Sequence, residues 1–301
     1  MDPFGAAVTP LEGGFSGETF VAEAAGERTV VRIYAGRGRA RGAQAPEIDA
    51  ALLRLVRGLL PVPSVLEVRR PDEASGTPGL LVTAFLPGTR LDLLLPDMSP
   101  RERRTIGANV GALLARLAQM PMLRGGVFVD GDLRLGDLPP GADDLVDWVA
   151  AHIDGTCLGT WPAAEREGLL SVAEAAQVLL DRVQRVCLVH SDLNPKNLLV
   201  DPATGEVTGL LDWEFAHAGL PVTDLGNLLR FERETEFAGA VLRAYAERVP
   251  DPAEGLLDRA RAADLFALVE LASRRGANPV ADRAHDLLRA VARSRDLHAV
   301  P

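Results

Sequence analysis

The sequence predicts an α+β fold, with an N-terminal antiparallel sheet carrying one helix and a larger, mainly helical region after it. Three observations predict it. β-branched and aromatic runs separated by turn residues crowd the first 82 positions. Helical apolar spacing takes over after Pro87-Gly88. Within that second region, apolar strand-like runs between residues 186 and 211 interrupt the helices and carry a cluster of polar residues.

Taken in order, residues 19–23 (TFVAE) and 29–34 (TVVRIY) read as strands joined by a turn at Gly26. Pro46 opens a helix whose apolar face is Ile48, Leu52, Leu53 and Val56, and Pro61 and Pro63 end it. Residues 65–68 and 80–83 supply two more strands. Ser99, Pro100 and Glu102 form a capping-box signature for a helix bearing Ile106, Val110, Leu113, Leu114 and Leu117. Residues 121–142 are rich in Gly and Pro and read as loop, and a long helix follows from about 162 to 183. Further helices are expected near 235–248, 256–273 and 279–295. The expected organisation is residues 1–82 as a sheet part, 83–88 as a connection and 89–301 as a helical part.

With 301 residues, 47% hydrophobic and 25% charged, the chain can bury a large core. No apolar run reaches the roughly 18 residues needed to cross a bilayer, so no membrane partner is expected. The start, MDPFGAAVTPLEGG, lacks the basic and apolar pattern of a leader. Cys157 and Cys187 have no metal-type spacing, and a cytoplasmic location is expected. A net charge of −10 argues against nucleic acid and allows a cationic partner. Lys196 is the single lysine; every other basic side chain is arginine. Proline precedes it, so no Walker A loop exists. The run from Gly36 to Gly42 has the wrong glycine spacing for a dinucleotide loop.

The chemistry concentrates in His190-x-Asp192-x-x-x-x-Asn197, which lies between two apolar strands. A turn at 201–205 leads to a third strand ending in Asp212-Trp213-Glu214, so a hairpin would bring Asp212 back to Asn197. Phosphoryl transfer needs groups of this kind. A carboxylate takes the proton of the attacking hydroxyl, and hard oxygen ligands hold Mg²⁺ against the phosphates. Asp192 is the expected base, Asn197 and Asp212 are the expected metal ligands, and His190 is expected to hold the loop backbone.

These residues resemble the catalytic and metal loops of the aminoglycoside phosphotransferase and choline kinase-like family of small-molecule kinases. His190 to Asn197 is similar to that family's H-G-D-x-x-x-x-N, and Asp212 to Glu214 to its D-W-E. The resemblance implies a protein-kinase-like two-lobed fold, ATP or GTP as donor, Mg²⁺, and a small-molecule hydroxyl acceptor. Gly14, Ser16 and Gly17 then belong to a phosphate-covering loop. Arg32 stands where related kinases have a lysine, with Asp49 preferred over Glu47 as its helix partner. The resemblance makes the Ala84 carbonyl and the Leu86 N–H the contacts to the base. Lys196 would reach a phosphate or the acceptor, and Asp224 would cap a helix or hold the catalytic loop.

The acceptor is read from charge. Asp130, Asp132, Asp137, Asp143, Asp144 and Asp147 crowd one segment, and Glu232, Glu234 and Glu236 form another acidic stretch. With the resemblance, they suggest a basic antibiotic, although a solvated acidic face explains them equally. The alternatives are a kinase of a primary metabolite such as choline, homoserine or a sugar, and a nucleotide-binding pseudokinase.

Overall fold

The computed structural model describes residues 7–10, 18–24, 26–34, 42–72, 74–233, 235–250 and 252–301. In chain order it begins β1 (Ala7–Pro10), β2 (Glu18–Ala24), β3 (Glu27–Tyr34), α1 (Ala45–Val56), β4 (Val65–Arg69) and β5 (Gly79–Ala84). There follow β6 (Thr89–Arg90), α2 (Leu91–Leu94), α3 (Pro100–Leu117), β7 (Gly126–Val127), α4 (Leu145–Gly155) and α5 (Ala163–Leu180). The remainder is β8 (Cys187–Val189), β9 (Leu198–Val200), β10 (Val207–Leu210), β11 (His217–Gly219), α6 (Thr223–Leu229), α7 (Thr235–Ala246), α8 (Leu256–Ser273) and α9 (Pro279–Ser294).

Contacts divide the chain into two compact units: residues 1–98, 127–136 and 195–216, and residues 99–126, 137–194 and 217–301. The chain returns to its first unit twice after residue 98. Strand pairing is one reason: β6 pairs antiparallel with β9, with Thr89 opposite Val200, and β9 with β10. The segment bearing Asn197 and Asp212 therefore belongs with the N-terminal sheet.

The first unit is built on a five-stranded antiparallel sheet of order β1-β2-β3-β5-β4. Gly26, with φ +81°, makes the β2–β3 turn in a conformation that disfavours side chains. In β3, Arg32 lies opposite Thr19 on one side and Leu81 on the other. Helix α1 packs on β4 and β5. Ile48, Leu52 and Val56 recur at helical spacing and are 1% exposed or less.

In the second unit the capping box forms as the sequence predicts: Glu102 N–H donates to Ser99 Oγ, and Ser99 N–H to Glu102 Oε2 at 2.7 Å. Helix α3 packs along α7 at Gly107 and Gly111, where a Cβ would press on the backbone of Phe237 and Val241. Helices α5, α8 and α9 form the rest of the core, with α6 against α8. Helix α4 was not anticipated. Asp144 caps it by accepting from Val146 N–H at 2.8 Å and Asp147 N–H at 3.0 Å. Among the described residues no helix is long and apolar enough to cross a membrane.

Candidate functional site

The second unit holds the Asp192 segment. Strand β8 is buried, and His190 directly after it is 0% exposed. Ser191, where the family pattern has glycine, adopts φ +63°, a left-handed conformation that costs a non-glycine residue free energy. Asp224 stabilises that turn. Its Oδ2 accepts from His190 N–H at 2.9 Å and its Oδ1 from Ser191 N–H at 2.8 Å. Burial pushes the Asp224 carboxyl above its usual range, against the opposing pull of His190 and the two N–H donors. Of the two roles expected for Asp224, it holds the loop: Val222 is the α6 N-cap, and no side chain bonds there.

His190 Nδ1 accepts the Asp192 N–H at 3.3 Å, the backbone-holding role expected of it. The Asp192 side chain is half-buried. Asn194 Nδ2 donates to Asp192 Oδ1 at 2.9 Å and to its carbonyl at 3.1 Å. Asn194 was overlooked in the sequence, although a side-chain amide two positions after an aspartate is a recurrent local hydrogen-bonding partner.

The first unit holds the other half. Pro195–Asn197 forms a short 3₁₀ turn, with Asn197 5% exposed and Lys196 partly exposed. The hairpin closes as expected: Leu211 N–H donates to the Asn197 carbonyl at 2.9 Å, and Gly205 at φ +73° makes the intervening turn. Asp212 also has a left-handed φ of +64°. Its Oδ1 accepts from Arg32 Nη1 at 2.8 Å, and Glu214 Oε2 lies 2.5 Å from Arg32 Nη2. Burial disfavours the Arg32 charge, yet Asp212, Tyr34, Glu214 and Asp49 together raise its pKa above the ordinary guanidinium value.

Arg32 thus makes its direct ion pairs with Asp212 and Glu214, and Asp49, the partner expected, acts on its charge without a hydrogen bond to it. Asp49 is 3% exposed and accepts from Tyr34 Oη at 2.6 Å, while Glu47 pairs with Arg70 at 2.6 Å. Arg32 turns to two carboxylates some 180 residues away in sequence. Glu47 lines a groove of about 310 Å³ with Arg54, Arg70, Asp130 and Arg134. At the end of β5, Ala84 N–H donates to the Ser64 carbonyl at 2.9 Å. The Leu86 N–H meets no backbone acceptor among the described residues. Gly14, Ser16 and Gly17 lie outside the described residues, as do residues 36–41.

The first unit carries Arg32, Asn197 and Asp212 and the second carries Asp192, on a fold of the kinase-like phosphotransferase class. The chain belongs to the phosphotransferase enzyme family, whose model matches residues 7–262. The fold is similar to that of an aminoglycoside 2'-phosphotransferase-IIIa in its GDP complex, with TM-score 0.71, 17% identity, and 96% and 93% of the two chains covered. It is also similar to aminoglycoside phosphotransferase APH(4)-Ia in a ternary complex with ADP and hygromycin B, with TM-score 0.67, 18% identity, and 96% and 94% covered. Acyl-CoA dehydrogenase family member 10 of Mus musculus is 27% identical over 217 residues. That match takes in 70% of this chain and 19% of the length of the mouse protein.

Proposed function

We propose that the chain moves the γ-phosphoryl group of ATP or GTP to a hydroxyl of a small molecule, with Asp192 as the base. The observation that carries this is the Asp192 loop: Asp224 holds its turn, His190 its backbone and Asn194 its carboxylate. So positioned, Asp192 takes the acceptor's hydroxyl proton as that oxygen bonds to the γ-phosphorus and the bond to the diphosphate breaks.

The donor set fits Mg²⁺. Asn197 and Asp212 present hard oxygens, and Asp212 Oδ2 has no partner among the described residues while Oδ1 faces Arg32. When bound, the ion neutralises phosphate charge. Arg32 holds Asp212 in place, and Lys196 supplies a further positive group on the same loop. The Ala84 carbonyl and the Leu86 N–H would take the base, and Gly14, Ser16 and Gly17 would cover the phosphates. Cys157 and Cys187, neither of them in a disulfide, suit a reducing cytoplasm.

An aminoglycoside-like acceptor finds support in the fold likeness, one of those relatives having been solved with hygromycin B. The acidic segment adds less than its composition suggests. Asp130 is paired with Arg134, Asp144 caps α4, and Asp137 lies 3.5 Å from Arg124. A regulatory nucleotide binder without turnover is the second reading, favoured by an arginine that occupies Asp212 where a lysine would grip phosphate.

The test is Mg²⁺-dependent turnover of ATP and GTP against a panel of hydroxylated metabolites and antibiotics, with phosphorylated product followed by mass. Asp192→Ala should lower kcat by about 10²-fold or more while nucleotide binding persists. Turnover unchanged by that substitution would remove Asp192 as the base. Nucleotide binding without a product from any acceptor would favour the regulatory reading.

A further inference from the structure

Helix α6 carries Asp224, whose carboxylate holds the Asp192 turn, yet nothing in the helix itself fixes its place. Its seven residues, Thr223–Leu229, are too few to persist alone, and its N-cap Val222 makes no side-chain bond. Asp224 through Leu229 are all buried. The position of α6 therefore comes from what it packs against.

Three contacts supply it, all within the second unit. The Pro221 carbonyl, just before the helix, accepts from the buried Tyr245 Oη at 2.9 Å. Gly226 lies so close to α8 that a Cβ would press on the Ala260 carbonyl and on Asp264 Cβ. Asp264 then ties the C-terminal half. Asn227 Nδ2 donates to its Oδ1 at 3.0 Å, and Nε and Nη2 of the C-cap Arg230 donate to both of its oxygens at 2.6–3.0 Å.

This network orients more than it stabilises. Asp264, Arg230 and Asn227 are all less than 10% exposed, and a buried ion pair gains little over apolar side chains of like volume. Asn227 Oδ1 is also buried without a partner, a cost imposed by turning Nδ2 to a carboxylate, which can only accept. Directional bonds of this kind fix the rotation and slide of a short helix, which apolar contacts alone leave soft. The consequence falls on the turn. Ser191 keeps its left-handed φ of +63° only while its surroundings over-determine it, and the two bonds from Asp224 do so. Asp192 is the next residue, so a shift of α6 would move the base.

We propose that Asp264 is a positioning residue for the Asp192 loop: through Asn227 and Arg230 it sets α6, and α6 sets the turn. The effect on catalysis rests on the kinase reading above; the holding of the turn does not.

The experiment exchanges the ion pair for apolar side chains in the full chain, as the double variant Arg230→Met, Asp264→Leu. Its Tm should stay within a few degrees of wild type, because an apolar pair replaces a buried ionic one well. Amide exchange followed by NMR should nevertheless speed up about tenfold or more at His190 and Ser191, with the α9 amides unchanged. In turnover assays kcat should fall about tenfold or more, since a small misplacement of the base is costly. KM for the nucleotide should hold, because its proposed contacts lie in the first unit. The pH midpoint of kcat should hold as well, because the variant removes one charge of each sign. A displaced midpoint would mean that Arg230 acts on Asp192 by charge, and would overturn a positioning role. Should the double variant not fold, Asn227→Ala keeps the ion pair and removes one tie, and exchange at His190 and Ser191 should rise about threefold. Wild-type exchange at these amides in either variant, or wild-type kcat in the folded double variant, overturns the proposal. If the wild-type protein phosphorylates no acceptor, the kinase reading fails, and exchange at His190 and Ser191 still decides whether Asp264 holds the turn.

Discussion

Arg32 shows how one substitution type changes the wiring of a site. A lysine at this position would offer a compact charge, whereas the guanidinium fork spans Asp212 and Glu214 at once. The three side chains are 15–25% exposed, so solvent moderates the ion pairs without removing them. Arg32→Met leaves two carboxylates side by side without their counter-charge. It should cost roughly 2 kcal/mol in urea denaturation, below the 3–5 kcal/mol typical of fully buried pairs. Arg32→Lys should fall between that variant and wild type, because a lysine reaches one carboxylate well. Equal stability of all three proteins would show that the bridge does not stabilise the fold. The sequence placed Arg32 on a strand with a site role, but its partners could not be read there. Asp49 was nearer in sequence, but it accepts from the Tyr34 hydroxyl and makes no hydrogen bond to Arg32.

Helix packing in the second unit depends on backbone approach. Along α3, Ile106, Val110, Leu113, Leu114 and Leu117 form the buried apolar positions expected from their spacing. The contact with α7 depends as well on Gly107 and Gly111, which that spacing does not single out. A Cβ on Gly111 would meet the Val241 carbonyl and lie 3.0 Å from Ala244 Cβ. Gly111→Ala should lower stability by about 1–3 kcal/mol through overpacking. Alanine's better helix propensity, worth up to about 1 kcal/mol, offsets part of that loss. A rise in Tm would mean that α3 and α7 can separate freely. Helix α4 shows the opposite limit. Its Asp144 cap was visible as a residue but was counted among the acidic ones, because a capping aspartate and a substrate-binding aspartate look alike in a string of letters.

Across the whole chain, several titrating groups predict how stability should follow pH. His285 is 2% exposed and accepts from Trp161 Nε1 at 3.0 Å, and burial holds its pKa below the usual value of about 6.5. The unfolded chain therefore binds that proton first, so the contribution is complete above about pH 6.5 and declines as pH falls below it. Glu165 is depressed by hydrogen bonds from Arg289 and Arg293, and Asp130 by Arg134. Their contributions are present above about pH 4.5 and are lost as pH falls through their lowered values. Asp224 runs the other way, its raised pKa making the ionised form the costlier one. Tm should thus be steady above neutrality and fall in two stages on acidification. His285→Gln, which keeps an acceptor for Trp161, should abolish the first stage. A first stage that survives this change would assign it to another group.

The sequence alone determined the α+β class, most helix positions and the segments that carry Asp192, Asn197 and Asp212. Those features are local: apolar period, caps, turns, and polar residues at fixed spacing on one hairpin. Asp192, Asn197 and Asp212 were legible because their spacing is set by one loop and one turn. Tertiary structure decided that Arg32 serves Asp212 and Glu214, that Asp224 clamps the Asp192 turn, and that Asp264 ties down Arg230. These pairings join groups 33 to 182 residues apart. Such contacts follow from how packed elements meet, and no periodicity along the chain encodes them.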